Sequence, residues 1–410
     1  MAGAQAHLVD AYCHGVLQGD LGLGAFEARL PGAAAPGTTL FDSPTGFAVR
    51  RWCPPLLGLE PHCPPARYLA RRRQLGAYRT ARLLLRGTGI TGYLVDSAEP
   101  GDLTPPKELG AAGAAPAYEI VRLEPLAQQI ADTSGTVDGF LANLAESVHA
   151  AAQDATGFAC GDGTAPAGGG RHARRGGERL GLPYGEQAAG RHAGPWAPAA
   201  PVSAPAGDGA VDVRPPGSAQ VRQAAARWLA GRRVGGRPAD PLLLRHLRWL
   251  AVATGLPLAL RYGPGGSGPR GAEPFLRATA GLGAEIVLLP GAAHESAAAD
   301  LAAALPHVYV ALGGDPAAVL ARTPFGKVLY ASGAVGLPEL YVTGARLFLA
   351  GLRRAVEERV AAGEWSRGDG ERVAALVGEG NARRVHRLPE TAACRLPHPR
   401  LPDSGAFRGR

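Results

Sequence analysis

The sequence predicts an α/β fold: eight parallel strands and their helices closed into a TIM-type (β/α)8 barrel. A long Gly/Pro-rich insertion follows the fourth strand, and a helical extension ends the chain. Three observations carry this. Eight short apolar runs are spaced along the chain with helical patterns between them, as parallel closure requires. The 410 residues suffice for a barrel of about 250 residues plus insertions. The 59 Gly and 36 Pro cluster rather than scatter, which separates long loops from a compact core.

The strands come in order. His7 to Cys13 (HLVDAYC) is the first, with His14 and Gly15 at its end. Gly92 to Asp96 (GYLVD) is the second and Ala117 to Glu124 (AYEIVRLE) the third. Gly157 to Gly161 (GFACG) is the fourth, Leu256 to Tyr262 (LPLALRY) the fifth, and Glu285 to Pro290 (EIVLLP) the sixth. His307 to Leu312 (HVYVAL) and Val328 to Ala331 complete the set. Each is short, apolar and rich in β-branched or aromatic members, which suits a strand buried on both faces.

Helices fill the gaps. Pro65 to Arg86, dense in Arg, Leu and Ala, reads as one or two helices over a barrel face. Val137 to Asp154 places Phe140, Leu141, Leu144, Val148 and Ala151 three or four apart, one helical face. Ala219 to Ala230 and Asp240 to Thr254 follow, the latter with Asp240 as N-cap and Pro241 at its first position. Pro338 and Glu339 open a long helix over Leu337 to Ala362, where Pro sacrifices no hydrogen bond and Glu complements the dipole. A last helix spans Ser366 to His386.

Residues 1–161 thus hold the first half-barrel and 218–390 the second half with the terminal helices. Between them, 162–217 lose all periodicity and carry too few large apolar residues to offset ordering entropy. This insertion and the Pro/Arg-rich tail 391–410 are expected to be loose.

Composition narrows the function. The formal charge of +8 favours acidic partners. The basic residues of the insertion (Arg171, His172, Arg174, Arg175, Arg191, His192) lack interleaved aromatics, so specific nucleic-acid binding is not expected. There is no signal-like pattern and no apolar run of about 18 residues, which predicts a cytoplasmic protein without membrane contact. Five Cys at uneven spacing give no disulfide framework. Cys53, His62 and Cys63 have the wrong spacing for a zinc finger, and a Pro follows each Cys.

The most informative stretch is Lys327 to Glu339, KVLYASGAVGLPE: a strand, a small-residue mouth, then a helix. It resembles the last barrel strand of the amidohydrolase-related family of metal-dependent (β/α)8 hydrolases, whose close members read "K-[LV]-L-[YF]-[SA]-S-D-A-x-G-L-P-E-L". The terminal Asn381-Ala382-Arg383-Arg384 matches that family's "N-A-R-R-[LV]-Y", with His386 at the final position. The likeness covers most of the chain outside the insertion and the tail. It implies hydrolysis of C–N or similar bonds by metal-bound hydroxide. Some relatives are fused to glutamine-synthetase-like domains, which implies a setting in nitrogen or γ-glutamyl metabolism.

The chemistry of that resemblance is missing here. In the family's first-strand motif "D-x-H-x-H-G" both His are ligands; this chain keeps Asp10, His14 and Gly15 but has Tyr12 for the first His. The family's strand-four lysine corresponds to Ala159, its strand-five His to Arg261, its strand-six His to Pro290, and its strand-eight Asp to Gly333. Of the six positions only His14 survives. A phenol is a poor zinc ligand, and a permanently charged guanidinium repels a cation. His294, four residues past Pro290, reads as a surface or capping residue.

The expected function is therefore a pseudoenzyme without a cofactor, which binds a small anion through Tyr12, His14 and Arg261 or serves a protein partner. The alternative is an active amidase-type hydrolase with zinc or another divalent ion in a rebuilt site. Cys13, His14, Glu124, Cys160 and Asp162 supply its candidate donors. Adjacent residues on a strand face opposite ways, which separates Cys13 from His14; otherwise these Cys are small buried hydrophobes.

Overall fold

The computed structural model describes residues 7–389 apart from 33, 100, 162–213, 234 and 264–267. Eight strands lie in sequence order: β1 Leu8–Cys13, β2 Ile90–Asp96, β3 Ala117–Arg122, β4 Gly157–Gly161, β5 Leu258–Arg261, β6 Ile286–Leu289, β7 Val308–Leu312 and β8 Val328–Tyr330. Every neighbouring pair is parallel. This is the (β/α)8 barrel that the spacing of the apolar runs predicts. The insertion 162–217 and the tail 391–410, expected to be loose, fall almost wholly outside the described residues.

Strand period explains the core. Val9, Leu94, Ile120, Ala159, Ala259, Val287 and Leu329 belong to one buried cluster, which fills the barrel interior. Leu8, Tyr93, Val95, Phe158, Leu260, Leu288 and Tyr330 belong to a second, shared with the surrounding helices. β1 breaks its alternation. Its register shifts between Asp10 and Cys13, and both Ala11 and Tyr12 join the interior.

Closure between β1 and β8 is made largely above the strands. The amides of His14 and Gly333 donate to the carbonyls of Ala334 and Tyr12, each at 2.9 Å. The buried Asp10 carboxylate accepts the amide and the hydroxyl of Ser332, at 2.8 and 2.5 Å.

The helices refine the sequence reading. Pro65 to Arg86 is two helices, Pro65–Leu75 and Ala77–Arg86, broken at Gly76, whose φ is +76°. β3 ends at Arg122 rather than Glu124, because the helix Leu123–Thr133 starts there without a loop. Asp240 does cap the helix Pro241–Ala253, accepting the amides of Leu242 and Leu243 at 2.8 and 3.3 Å. In the long helix Pro338–Ala361, Glu339 is fully buried. Arg72 Nε lies 2.8 Å from its carboxylate and the Tyr68 hydroxyl donates to it at 2.7 Å, which staples the helix Pro65–Leu75 to the barrel.

The terminal segment is not one continuous helix. Arg367–Ala375 passes through a wide π turn, Leu376–Gly380, into Asn381–Val385. The turn lies where Gly378 crosses β1: a Cβ there would sit 2.4 Å from the His7 carbonyl oxygen. The Asn-Ala-Arg-Arg motif then docks on the barrel. Asn381 Nδ2 donates to the carbonyls of Phe325 and Val328 at 2.7 and 2.8 Å, and Arg383 Nε pairs with Glu379 at 3.1 Å.

Candidate active-site mouth

Chemistry in such barrels sits at the C-terminal ends of the strands. The interior-facing residues there are Tyr12 and His14 from β1 and its end, Asp96 from β2, Arg122 from β3 and Arg261 from β5. The register shift in β1 sets the first pair. It leaves the Tyr12 and His14 rings edge to face, with centroids 5.2 Å apart. Cys13 turns the other way and its thiol approaches the Leu94 carbonyl at 3.4 Å.

Asp96 organises the cluster. The Tyr12 hydroxyl donates to its carboxylate. Arg122 faces the same oxygen with Nε at 2.6 Å and Nη2 at 2.5 Å. The Ala98 amide donates to the other oxygen at 2.9 Å. Arg122 reaches on to Glu99 with Nη1 at 2.7 Å. Burial disfavours the Asp96 charge, but the surrounding positive charge and these donors outweigh it and hold the carboxyl below its usual range. Burial and the Asp96 charge push the Tyr12 phenol up, so it stays a protonated donor.

His14 has a defined tautomer. Its Nδ1 lies 2.9 Å from the Asp96 backbone carbonyl, which can only accept, so Nδ1 carries the proton. Burial is the main cause that lowers its pKa, which keeps the ring neutral at pH 7. Arg261 stands apart. Its guanidinium carbon lies 5.6 Å above the Tyr12 ring centroid. Among the described residues it has no hydrogen-bond or ion-pair partner.

The remaining positions are small or withdrawn. Ala159 is buried in the interior. Pro290 lies just past the end of β6 and is half-buried. Gly333 has φ +60°, and its amide is spent on the Tyr12 carbonyl at 2.9 Å.

The alternative donors do not converge. Cys160 belongs with Cys13 to the cluster under the helices, and the Arg248 guanidinium donates to the next carbonyl, of Gly161, at 2.6 Å. Glu124 accepts the Gly161 amide. Asp162 lies outside the described residues. The four described cysteines are all free and buried. His62 is exposed, with φ +61°. His294 takes the N-cap position of the helix Glu295–Ala304, but its side chain makes no capping bond.

A divalent ion does not fit these donors. Of the six positions, only His14 offers a ligand, and one of its nitrogens is committed to a carbonyl. Asp96 is already saturated, and Arg261 brings a fixed positive charge to the same ring. Among the described residues, no group of three or more His, Cys, Asp or Glu is placed to hold a metal ion. No described helix is long and apolar enough to cross a membrane.

Asp96, Arg122 and Glu99 were not singled out from the sequence. The available signal was an ionisable residue closing an apolar strand, which in a barrel points into the mouth.

The fold has known relatives. A Lactobacillus casei protein described as a metal-dependent hydrolase superposes with a TM-score of 0.68 at 16% identity, over 93% of this chain and 96% of that one. The uronate isomerase of Thermotoga maritima gives 0.59 at 11% identity, over 93% and 94%. At these identities the likeness is one of fold: a (β/α)8 barrel of the kind found in metal-dependent hydrolases. No protein-family model and no curated protein matches the chain.

Proposed function

We propose that this barrel has given up metal-dependent hydrolysis and binds a small carboxylate or phosphate at its mouth, through Tyr12, His14 and Arg261. One observation carries the reading. Asp96 and Glu99 both pair with Arg122, while among the described residues Arg261 has no ion-pair partner and its guanidinium faces the Tyr12 ring. A planar fork of donors without an anionic partner among the described residues is suited to an external one. Arg237 adds positive charge nearby, donating to the Ala98 carbonyl at 3.3 Å. The hydrolase named among the fold relatives favours hydrolysis as the competing reading, but the donor set above argues against the ion that such chemistry requires.

Thermal unfolding at constant ionic strength, with phosphate or acetate replacing chloride, tests the reading. Both anions are expected to raise Tm in the parent and in Arg372→Ala, a variant of a surface ion pair, and to lose their effect in Arg261→Ala. Failure of every anion to stabilise the parent would overturn it. Hydrolysis of an amide that a chelator abolishes would support the competing reading instead.

A further inference from the structure

We infer that the mouth is built for a carboxylate bearing a neighbouring hydroxyl or amine: a small 2-hydroxy or 2-amino acid rather than a simple anion. The inference rests on the proposed anion site and names the class of ligand that would fill it. It follows from the hydrogen-bonding capacity left over at the Tyr12 ring.

Each group has already spent part of its capacity. Tyr12 has given its only proton to Asp96, so its hydroxyl is not free to donate to a ligand. The Asp96 carboxylate is filled by Tyr12, Arg122 and Ala98. His14 donates its Nδ1 proton to the Asp96 carbonyl, so its Nε2 holds a lone pair. That nitrogen has no hydrogen-bond partner among the described residues. What remains is the fork of donors on Arg261 and a single neutral acceptor on His14, both against one aromatic ring.

A bare carboxylate or phosphate dianion satisfies Arg261 only. It leaves the imidazole acceptor unmatched, and a second lone pair brought against it is repulsive. A ligand with an O–H or N–H donor beside its carboxylate satisfies both groups. A ligand hydroxyl matched by this acceptor binds more tightly than the analogue without it, by the net worth of one hydrogen bond. Neither Cys13 nor Glu99 competes for this role, since the thiol lies behind the strand and the carboxylate is held by Arg122.

The test is calorimetric titration of the full chain at pH 7.5 with three probes of similar size: lactate, propionate and lactamide. Lactate is expected to bind about tenfold more tightly than propionate, the worth of one hydrogen bond. Lactamide, which keeps the hydroxyl but lacks the charge, should not bind measurably. His14→Phe should reduce lactate to the affinity of propionate, which removes the preference for the hydroxyl. His14→Gln, which retains an amide acceptor, should keep part of the preference and provides a second variant if the first does not fold. Arg261→Ala should abolish binding of both acids. Equal affinities for lactate and propionate in the parent would overturn the inference and leave the anion site standing. Absence of binding by lactate and propionate alike would remove the anion site itself.

Discussion

Replacing Arg122 by Met tests whether the mouth is a closed, ion-paired network. The side chains of Arg122 and Asp96 are only 2% and 0% exposed, so water cannot take over when the guanidinium is lost. Asp96 would keep the Tyr12 hydroxyl and the Ala98 amide but no counter-charge. Breaking a buried pair from one side costs about 3–5 kcal/mol, because it leaves an uncompensated charge. Urea unfolding at pH 7.5 should therefore show a loss of about 3–5 kcal/mol. The loss should shrink in acid, because the orphaned Asp96 then protonates before the chain unfolds. Asp96→Asn in the same background should recover part of the loss, and the double-mutant cycle should return a coupling well beyond the roughly 0.5 kcal/mol of independent sites. A loss below about 1 kcal/mol would place Asp96 in a wet, accommodating mouth and refute the reasoning.

Two buried groups give stability opposite pH slopes. Burial pushes the Asp10 carboxyl from 3.8 up to about 7, against the two bonds from Ser332. Between those values the folded chain holds a proton that the unfolded chain has lost, so this group's contribution falls as pH rises, by up to roughly 4 kcal/mol. Asp10→Asn should match the parent near pH 4 and exceed it at pH 8 in denaturant midpoint; a lower midpoint at pH 8 would count against the burial argument. Burial likewise pushes His386 from 6.5 down to about 4, the Thr156 carbonyl opposing it. The unfolded chain takes up a proton in that window first, so stability is lost as pH falls through it, by up to roughly 3 kcal/mol. His386→Phe should flatten the acid slope between pH 6.5 and 4.5, and an unchanged slope would mean that the ring titrates normally.

The barrel was legible because strands buried on both faces write themselves as short apolar runs, and β4 to β8 keep the expected phase. β3 overran because Leu123 continues its apolar character while the backbone already turns into a helix. The helix Pro44–Leu56 was hidden by Pro54 and Pro55 in its last turn, residues that read locally as a break. In the mouth, Tyr12, His14 and Arg261 were singled out because they stand at the ligand positions of the family motifs they resemble. Asp96 and Arg122 were harder, since each closes an apolar strand and its meaning depends on a partner far along the chain. The Tyr12 to Asp96 bond joins residues 84 apart in sequence, and local pattern carries no trace of such a pairing. The register shift in β1 was equally invisible, yet it lets Ala11 and Tyr12 both face inward.

The central claim is that the mouth is lined by a hydrogen-bonded network and by a guanidinium without an ion-pair partner among the described residues, and works without a catalytic ion. The most direct measurement is metal content per chain, by elemental analysis of untagged protein purified without chelator. The account predicts zinc, iron, manganese and nickel far below one ion per chain, unchanged in Arg122→Met and Arg261→Ala. A stoichiometric metal in the parent, lost on replacing His14, would contradict it and return the mouth to hydrolytic chemistry.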